Sequence, residues 1–151
     1  MTKQLTVSED LKELAKKVIE KYQSILALGN AKIDYILVEP NISKRIAGKC
    51  IKTNTELKYY SNADYIIEMS YDLWNGLNDD TKEILMLHEI MHIDCVIDDK
   101  NGDYKYNIRD HNVKDFSYIV KNFGINWIDT IKTTMASIHD VSELELGEIS
   151  I

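Results

Sequence analysis

The stretch from Thr81 to about Cys95 carries apolar side chains on most sides of a helix, through Ile84, Leu85, Leu87, Ile90, Met91 and Ile93. A helix without a polar face has to be covered from several directions, so this is a core helix and the rest of the chain must wrap it. At 151 residues the chain can do so. A domain of this size buries roughly two thirds of the surface its unfolded chain exposes and needs neither disulfide nor metal merely to stay folded. A metal site would then be present for function.

The flanking segments read as a mixture of helix and strand. Ser8 precedes Leu11, Leu14, Ala15, Val18, Ile19, Tyr22, Ile25 and Leu26, which recur at three- and four-residue steps until Gly29-Asn30. That is an amphipathic helix with a cap and a glycine stop. Lys32 to Val38 alternates and ends before Pro40, and Ile46 to Thr53 and Tyr65 to Met69 are further strand candidates separated by a polar, turn-like stretch from Lys58 to Asp64. Tyr71 to Leu77 makes a short helical turn, after which Asn78-Asp79-Asp80-Thr81 opens the core helix, Asp80 and Glu83 having capping-box spacing. Asp98 to Asp110 is polar around Asn101-Gly102 and reads as a loop or short hairpin. Two more helices are expected, from about Asn112 to Asn122 and from about Asn126 to Ile138. The expectation is a single α+β domain over residues 1–139, followed by an acidic tail, residues 140–151, expected to be mobile.

Within the core helix stands His88-Glu89-Ile90-Met91-His92. Histidines four apart on a helix share a face, with Cβ atoms roughly 6 Å apart, and both imidazoles can reach one zinc ion at about 2.0–2.1 Å. Glu89 is offset around the helix, so it need not bind the metal and can take a proton from the water the metal activates, then pass it to a leaving amine. Burying two imidazoles and a carboxylate among Leu, Ile and Met is costly unless those groups have partners. The bland alternative is a hydrogen-bonded pair of core histidines.

A catalytic zinc needs a third protein ligand and keeps its fourth position for water. No glutamate lies between Glu89 and Glu143, so a downstream helical Glu is excluded unless the tail folds back. A compact site would need Gly where Cys95 stands; Asp98 has the spacing for it but lacks the sharp turn. His111, beyond a loop long enough to bring it over the core helix, is favoured over Asp98 or Asp110.

From His111 onward the sequence resembles a family. The order His88-Glu89-x-x-His92, a variable loop, His111-Asn112-Val113-Lys114-Asp115-Phe116, and a helix ending in Phe123-Gly124-Ile125-Asn126-Trp127 is similar to the phage metallopeptidases, relatives of SprT-like zinc proteases. Upstream, Ala47-Gly48-Lys49-Cys50 resembles the strand segment ahead of their zinc helix. The resemblance runs over residues 32 to 127, the expected core. It implies a minimal zincin fold binding one Zn2+ per chain, with His88, His92 and His111 as ligands, Glu89 as general base, and a peptide or protein as substrate. The family often has Asp after its third His where this chain has Asn112, so a carboxylate behind a ligand would come from Asp110 or Asp115, or be missing.

Other features exclude more than they assign. With 18 basic and 25 acidic side chains the net charge is −7, a field that repels nucleic-acid phosphates and anionic lipid. Lys44-Arg45, Lys49 and Lys52 form a small basic strip, read as a solvated face before a nucleic-acid contact. No apolar run is long enough to cross a bilayer and Met1 to Asp10 carries no signal core, which sets the expected location in the cytoplasm; the resemblance implies that of a bacterium or phage-infected cell. Cys50 and Cys95 lack disulfide or zinc-knuckle spacing and read as buried thiols. His139 reads as a helix-end histidine, and Tyr104, Tyr106 and Arg109 as loop residues that coincidence places near the site. The rival function is a noncatalytic zincin that acts by binding a host or regulatory partner.

Overall fold

The computed structural model describes residues 2–111 and 115–151 of the chain. Among the described residues it is a mixed α+β structure with two small sheets and no barrel. The first sheet contains β1 (Gln4–Val7), β2 (Ile33–Glu39), β3 (Gly48–Lys52) and β4 (Tyr65–Ser70) in the order β1-β2-β4-β3. β2 and β4 run parallel, with Ile33 opposite Tyr65, while β1 and β3 flank them antiparallel. β4, Tyr-Ile-Ile-Glu-Met-Ser, is almost entirely buried, as its apolar run requires of a central strand. β1 is exposed along its whole length, Leu5 and Val7 included, and its alternation lasts only four residues, too short to stand out in the polar start of the chain.

Seven helices lie among the described residues. α1 (Glu9–Tyr22) is capped by Ser8, whose Oγ accepts from Leu11 N at 3.2 Å, and turns Leu11, Ala15, Val18 and Tyr22 inward. α2 (Thr55–Ser61) occupies ground read as a polar turn; Asn54 caps it and it buries no residue, so only the cap could have signalled it. α3 (Tyr71–Gly76) contributes Leu73 and Trp74 to the core. α4 (Asp79–Ile90) packs against α1, β3, α5 (Ser117–Phe123) and α6 (Asn126–Ile138), covered from several directions as its composition demands. Leu85, Met86, Leu87 and Ile90 on α4 meet Ile67 and Met69 from the sheet and Trp127, Ile131 and Met135 from α6 in one core.

Four boundaries differ from the sequence expectation. α1 ends at Tyr22 and passes into a single 3-10 turn, Gln23–Ile25, instead of running on through Leu26 to the Gly29 stop, because Ala27 is drawn into a bridge with Asp94. The cap of α4 is Asn78, whose Oδ1 accepts from Thr81 N at 2.8 Å, in place of the Asp80–Glu83 box. α4 also stops at Ile90 instead of reaching Cys95: Ile93, Asp94 and Cys95 belong to β5 (Ile93–Ile97), paired antiparallel with β6 (Tyr104–Ile108) in a separate hairpin. A short apolar run fits either period, and here distant pairing decides, since Cys95 N also donates to Ala27 O at 2.8 Å. The helix expected from Asn112 begins at Ser117, and the expected positions 112–114 lie outside the described residues.

The acidic tail makes defined contacts. α7 (Glu143–Leu146) inserts a buried Leu146 into the core, and Ser150 pairs with the chain at Ile46.

Candidate metal centre

α4 and the chain just beyond it set two of the three histidines. His88 lies in the last turn of α4 and is fully buried; His92 follows the C-terminal cap Met91, its N–H donating to Glu89 O at 3.2 Å. This tightened exit keeps the two imidazoles on one side although the helix has ended. β6 then returns the chain beneath His92: Arg109 N donates to His92 O at 2.6 Å, and His92 Nδ1 donates to Arg109 O at 2.7 Å. Two residues on is His111. The ring centroids of His88, His92 and His111 form a near-equilateral triangle, 5.1, 5.2 and 5.1 Å on its sides, with one ligand-capable atom from each residue all within 4.8 Å of one another. Neither Asp98 nor Asp110 joins such a group among the described residues; Asp98 Oδ1 accepts from Lys100 N in the hairpin turn.

Hydrogen bonds fix which nitrogens face inward. A carbonyl only accepts, so His92 Nδ1 bears the proton and Nε2 holds the lone pair. His88 Nδ1 lies 2.6 Å from Asp115 Oδ1 and, facing a carboxylate, is likewise the donor. Asp115, buried, also accepts from Phe116 N at 2.7 Å and from Trp127 Nε1 at 2.9 Å. One carboxylate thus ties α4, the start of α5 and α6 together behind His88. Of the two candidates raised by Asn112, Asp115 takes this place; Trp127 as its third donor had no local signal, since only the fold brings α6 there. The rings of Phe116 and Trp127 pack on the histidines at centroid distances of 5.0 to 5.8 Å and form an apolar wall.

Glu89 sits on the other flank. It is fully buried, and a Cβ added to Gly48 of β3 would lie 3.2 Å from its Oε2, 3.2 Å from Glu68 O and 2.8 Å from Met69 Sδ. Glycine is what lets this strand pass so close to the carboxylate. Burial, with the charge of Asp115 adding to it, pushes the Glu89 carboxyl up to about 8. Burial pushes His92 down to about 4, helped by His88 and His111 and opposed by the Arg109 carbonyl. Among the described residues three buried side-chain polar atoms have no hydrogen-bond partner: His88 Nε2 and both carboxylate oxygens of Glu89. Native interiors rarely strand such groups, and three imidazoles that each offer a ligand-capable atom within 4.8 Å of the others are a donor set a divalent ion takes.

The remaining candidates lie elsewhere. Tyr106 OH donates to Asn30 Oδ1 at 2.8 Å and Tyr104 packs on Gly29, where φ is +49° and a Cβ would come within 2.8 Å of the Tyr104 ring and Cys95 Sγ. His139 caps the C-terminus of α6, and Lys49 pairs with Glu68 at 3.2 Å.

Comparison with known families bears on the same residues. The model of the family described as "Putative phage metallopeptidase" matches residues 3–139. The chain belongs to that family. The match takes in β1 and α1, ahead of the segment that carries the resemblance in sequence, and it ends at His139, before α7. A metallopeptidase family implies a metal ion, and three histidines of this member stand where they could hold one. No curated protein and no solved structure matches the chain. Among the described residues no helix is long and apolar enough to cross a membrane.

Proposed function

We propose that the protein is a zinc-dependent peptidase in which His88, His92 and His111 hold the metal and Glu89 is the general base, acting within a minimal zincin fold. The observation that carries this reading is the stranded set of buried atoms, His88 Nε2 and both oxygens of Glu89, beside two further imidazoles in a triangle. When bound, zinc supplies Lewis-acid polarisation of a peptide carbonyl and acidifies water toward neutrality.

The chain's own residues do the rest. Asp115 and the Arg109 carbonyl hold the Nδ1 protons of His88 and His92, which fixes both tautomers and leaves both Nε2 atoms as ligands. Asp115 also supplies negative charge behind His88, strengthening that imidazole as a donor. Phe116 and Trp127 exclude water from one side of the triangle, so charge interactions inside it are weakly screened. Glu89, buried beside the triangle with neither carboxylate oxygen engaged by the described residues, is free to accept the proton of an attacking water and to return it to the amine of the departing product. Gly48 leaves room for the carboxylate to turn between these two tasks.

The test is a pair of variants. Glu89→Gln should retain one zinc per chain and the wild-type fold while losing peptide hydrolysis; His111→Ala should lose tight zinc binding. A folded wild-type protein that takes up no added zinc would end the reading. A cellular phenotype left intact by Glu89→Gln would instead favour a noncatalytic, partner-binding zincin.

A further inference from the structure

Beyond α7 the chain turns at Gly147, against the guanidinium of Arg45, and then runs along residues 45–47. Ser150 N donates to Arg45 O at 2.7 Å, and Ala47 N donates to Ser150 O at 2.9 Å, a parallel bridge between Ile46 and Ser150. From the opposite side Ser70, at the end of β4, holds the same stretch: its N–H donates to Ala47 O at 2.9 Å and its Oγ to Ile46 O at 2.5 Å. Ile46 and Ala47 therefore sit between Ser70 of the sheet and Ser150, and residues 149–151 run beside the start of β3, joined to it by one isolated parallel bridge. The next residue after Ala47 is Gly48, the one that abuts the Glu89 carboxylate.

The same short segment reaches the histidine side. His111 and residues 148–151 line one cavity of about 300 Å³, together with Ile128, Asp129 and Lys132. Ile149 and Ile151 pack on the core, with Ser150 between them using its main chain to pair. An extended chain that pairs through its backbone and seats alternate apolar side chains is how a peptide adds to a sheet edge.

We propose that residues 148–151 occupy a peptide-docking edge beside the metal centre, as an in-built occupant that an extended peptide, apolar at alternate positions, must displace from Arg45 and Ala47. The inference rests on the metallopeptidase reading for the purpose of the edge, but not for its existence. Leu146, buried two residues ahead of it, tethers the segment and keeps it at roughly millimolar effective concentration. A free peptide of modest affinity is therefore excluded from the intact chain.

The experiment measures fluorescence anisotropy of a labelled peptide with the sequence Gly147 to Ile151 against three proteins. These are the wild type, full-length Ser150→Pro, which removes the N–H given to Arg45 O, and a chain with residues 148–151 deleted that keeps Leu146. The expected result is peptide binding at least tenfold tighter to Ser150→Pro and to the deletion than to the wild type, with zinc-loaded hydrolysis of an unstructured protein rising in the same order. Equal binding by all three, or binding by none, overturns the proposal. If the deletion does not fold by circular dichroism, Ser150→Pro decides alone, and unchanged peptide affinity in it overturns the proposal. Zinc content of the three proteins separates the two readings. Peptide binding without zinc uptake would remove the peptidase and keep the docking edge; zinc uptake with equal peptide binding would do the reverse.

Discussion

Replacing Asp115 tests how far the metal centre depends on what lies behind it. The carboxylate is buried and accepts from three donors, His88 Nδ1, Phe116 N and Trp127 Nε1, at 2.6, 2.7 and 2.9 Å. A buried donor left without an acceptor costs about 1–3 kcal/mol, so Asp115→Ala, which strands three, should lose roughly 3–6 kcal/mol after some relaxation. That is a large part of the roughly 5–15 kcal/mol that holds a domain together, and the alanine variant risks unfolding. Asp115→Asn is the informative change. Its oxygen can keep His88 and Phe116 while its amide faces the indole N–H of Trp127, one donor against another, at a cost of about 1–3 kcal/mol. The negative charge behind His88 is gone, and such changes weaken metal affinity about 10- to 100-fold, equivalent to about 1.4–2.7 kcal/mol. The assay is zinc competition against a chromogenic chelator beside urea unfolding of the metal-free protein. Zinc affinity within twofold of wild type, with stability changed by less than about 0.5 kcal/mol, would refute the role given to Asp115.

Four other expectations follow from the same structure. In metal-free protein, Glu89 contributes stability that is fully present below its ordinary 4.5 and lost as pH rises toward about 8, because the folded state retains the proton longer; Glu89→Gln should flatten that decline in urea midpoints between pH 5 and pH 8. His92 acts in the opposite window, its contribution present above 6.5 and lost as pH falls toward about 4, which acid titrations of unfolding on His92→Gln should show removed. Gly48→Ala must push aside Met69 or the Glu68 carbonyl and crowd Glu89, so it should cost about 1–3 kcal/mol in denaturant unfolding and lower hydrolysis more than zinc binding. Burial raises the thiols of Cys50 and Cys95, Cys50 also by the neighbouring Glu89 charge, so both should resist Ellman's reagent at pH 8 until guanidinium unfolds the chain.

What the sequence discloses divides along the range of the forces involved. Local signals place α1 from its Ser8 cap, and α6 begins and ends at Asn126 and Ile138 as its apolar spacing predicts. The burial of α4 is legible because a helix without a polar face has no alternative. Its end is not legible, because Ile93 and Cys95 become a strand only through pairing with Ile108 and Tyr106 in a hairpin whose own alternation is faint. β1 alternates over only four residues and buries none of them, and α2 has a cap but no buried side. At the site, spacing singles out His88, Glu89 and His92, and loop length makes His111 available. The triangle itself depends on the two bonds between His92 and Arg109, and the Asp115–Trp127 contact depends on α6 reaching the back of α4. Neither arrangement can be read before the chain is folded.

The hairpin between the second and third histidines has a further consequence. Its base is fixed by the Ile93–Ile108 pair and by Arg109 against His92, whereas its tip at Gly102 points into open space. Strand residues alternate faces, so lengthening both arms by the same number of residues preserves every pairing at the base and leaves His111 where it is. The sequence distance from His92 to His111 is therefore not a metal-binding constraint, and relatives of this chain are better sought by the residues at the two ends of the hairpin than by the gap between them. The same tip is the natural place to insert a tag or a reporter domain without touching the histidines.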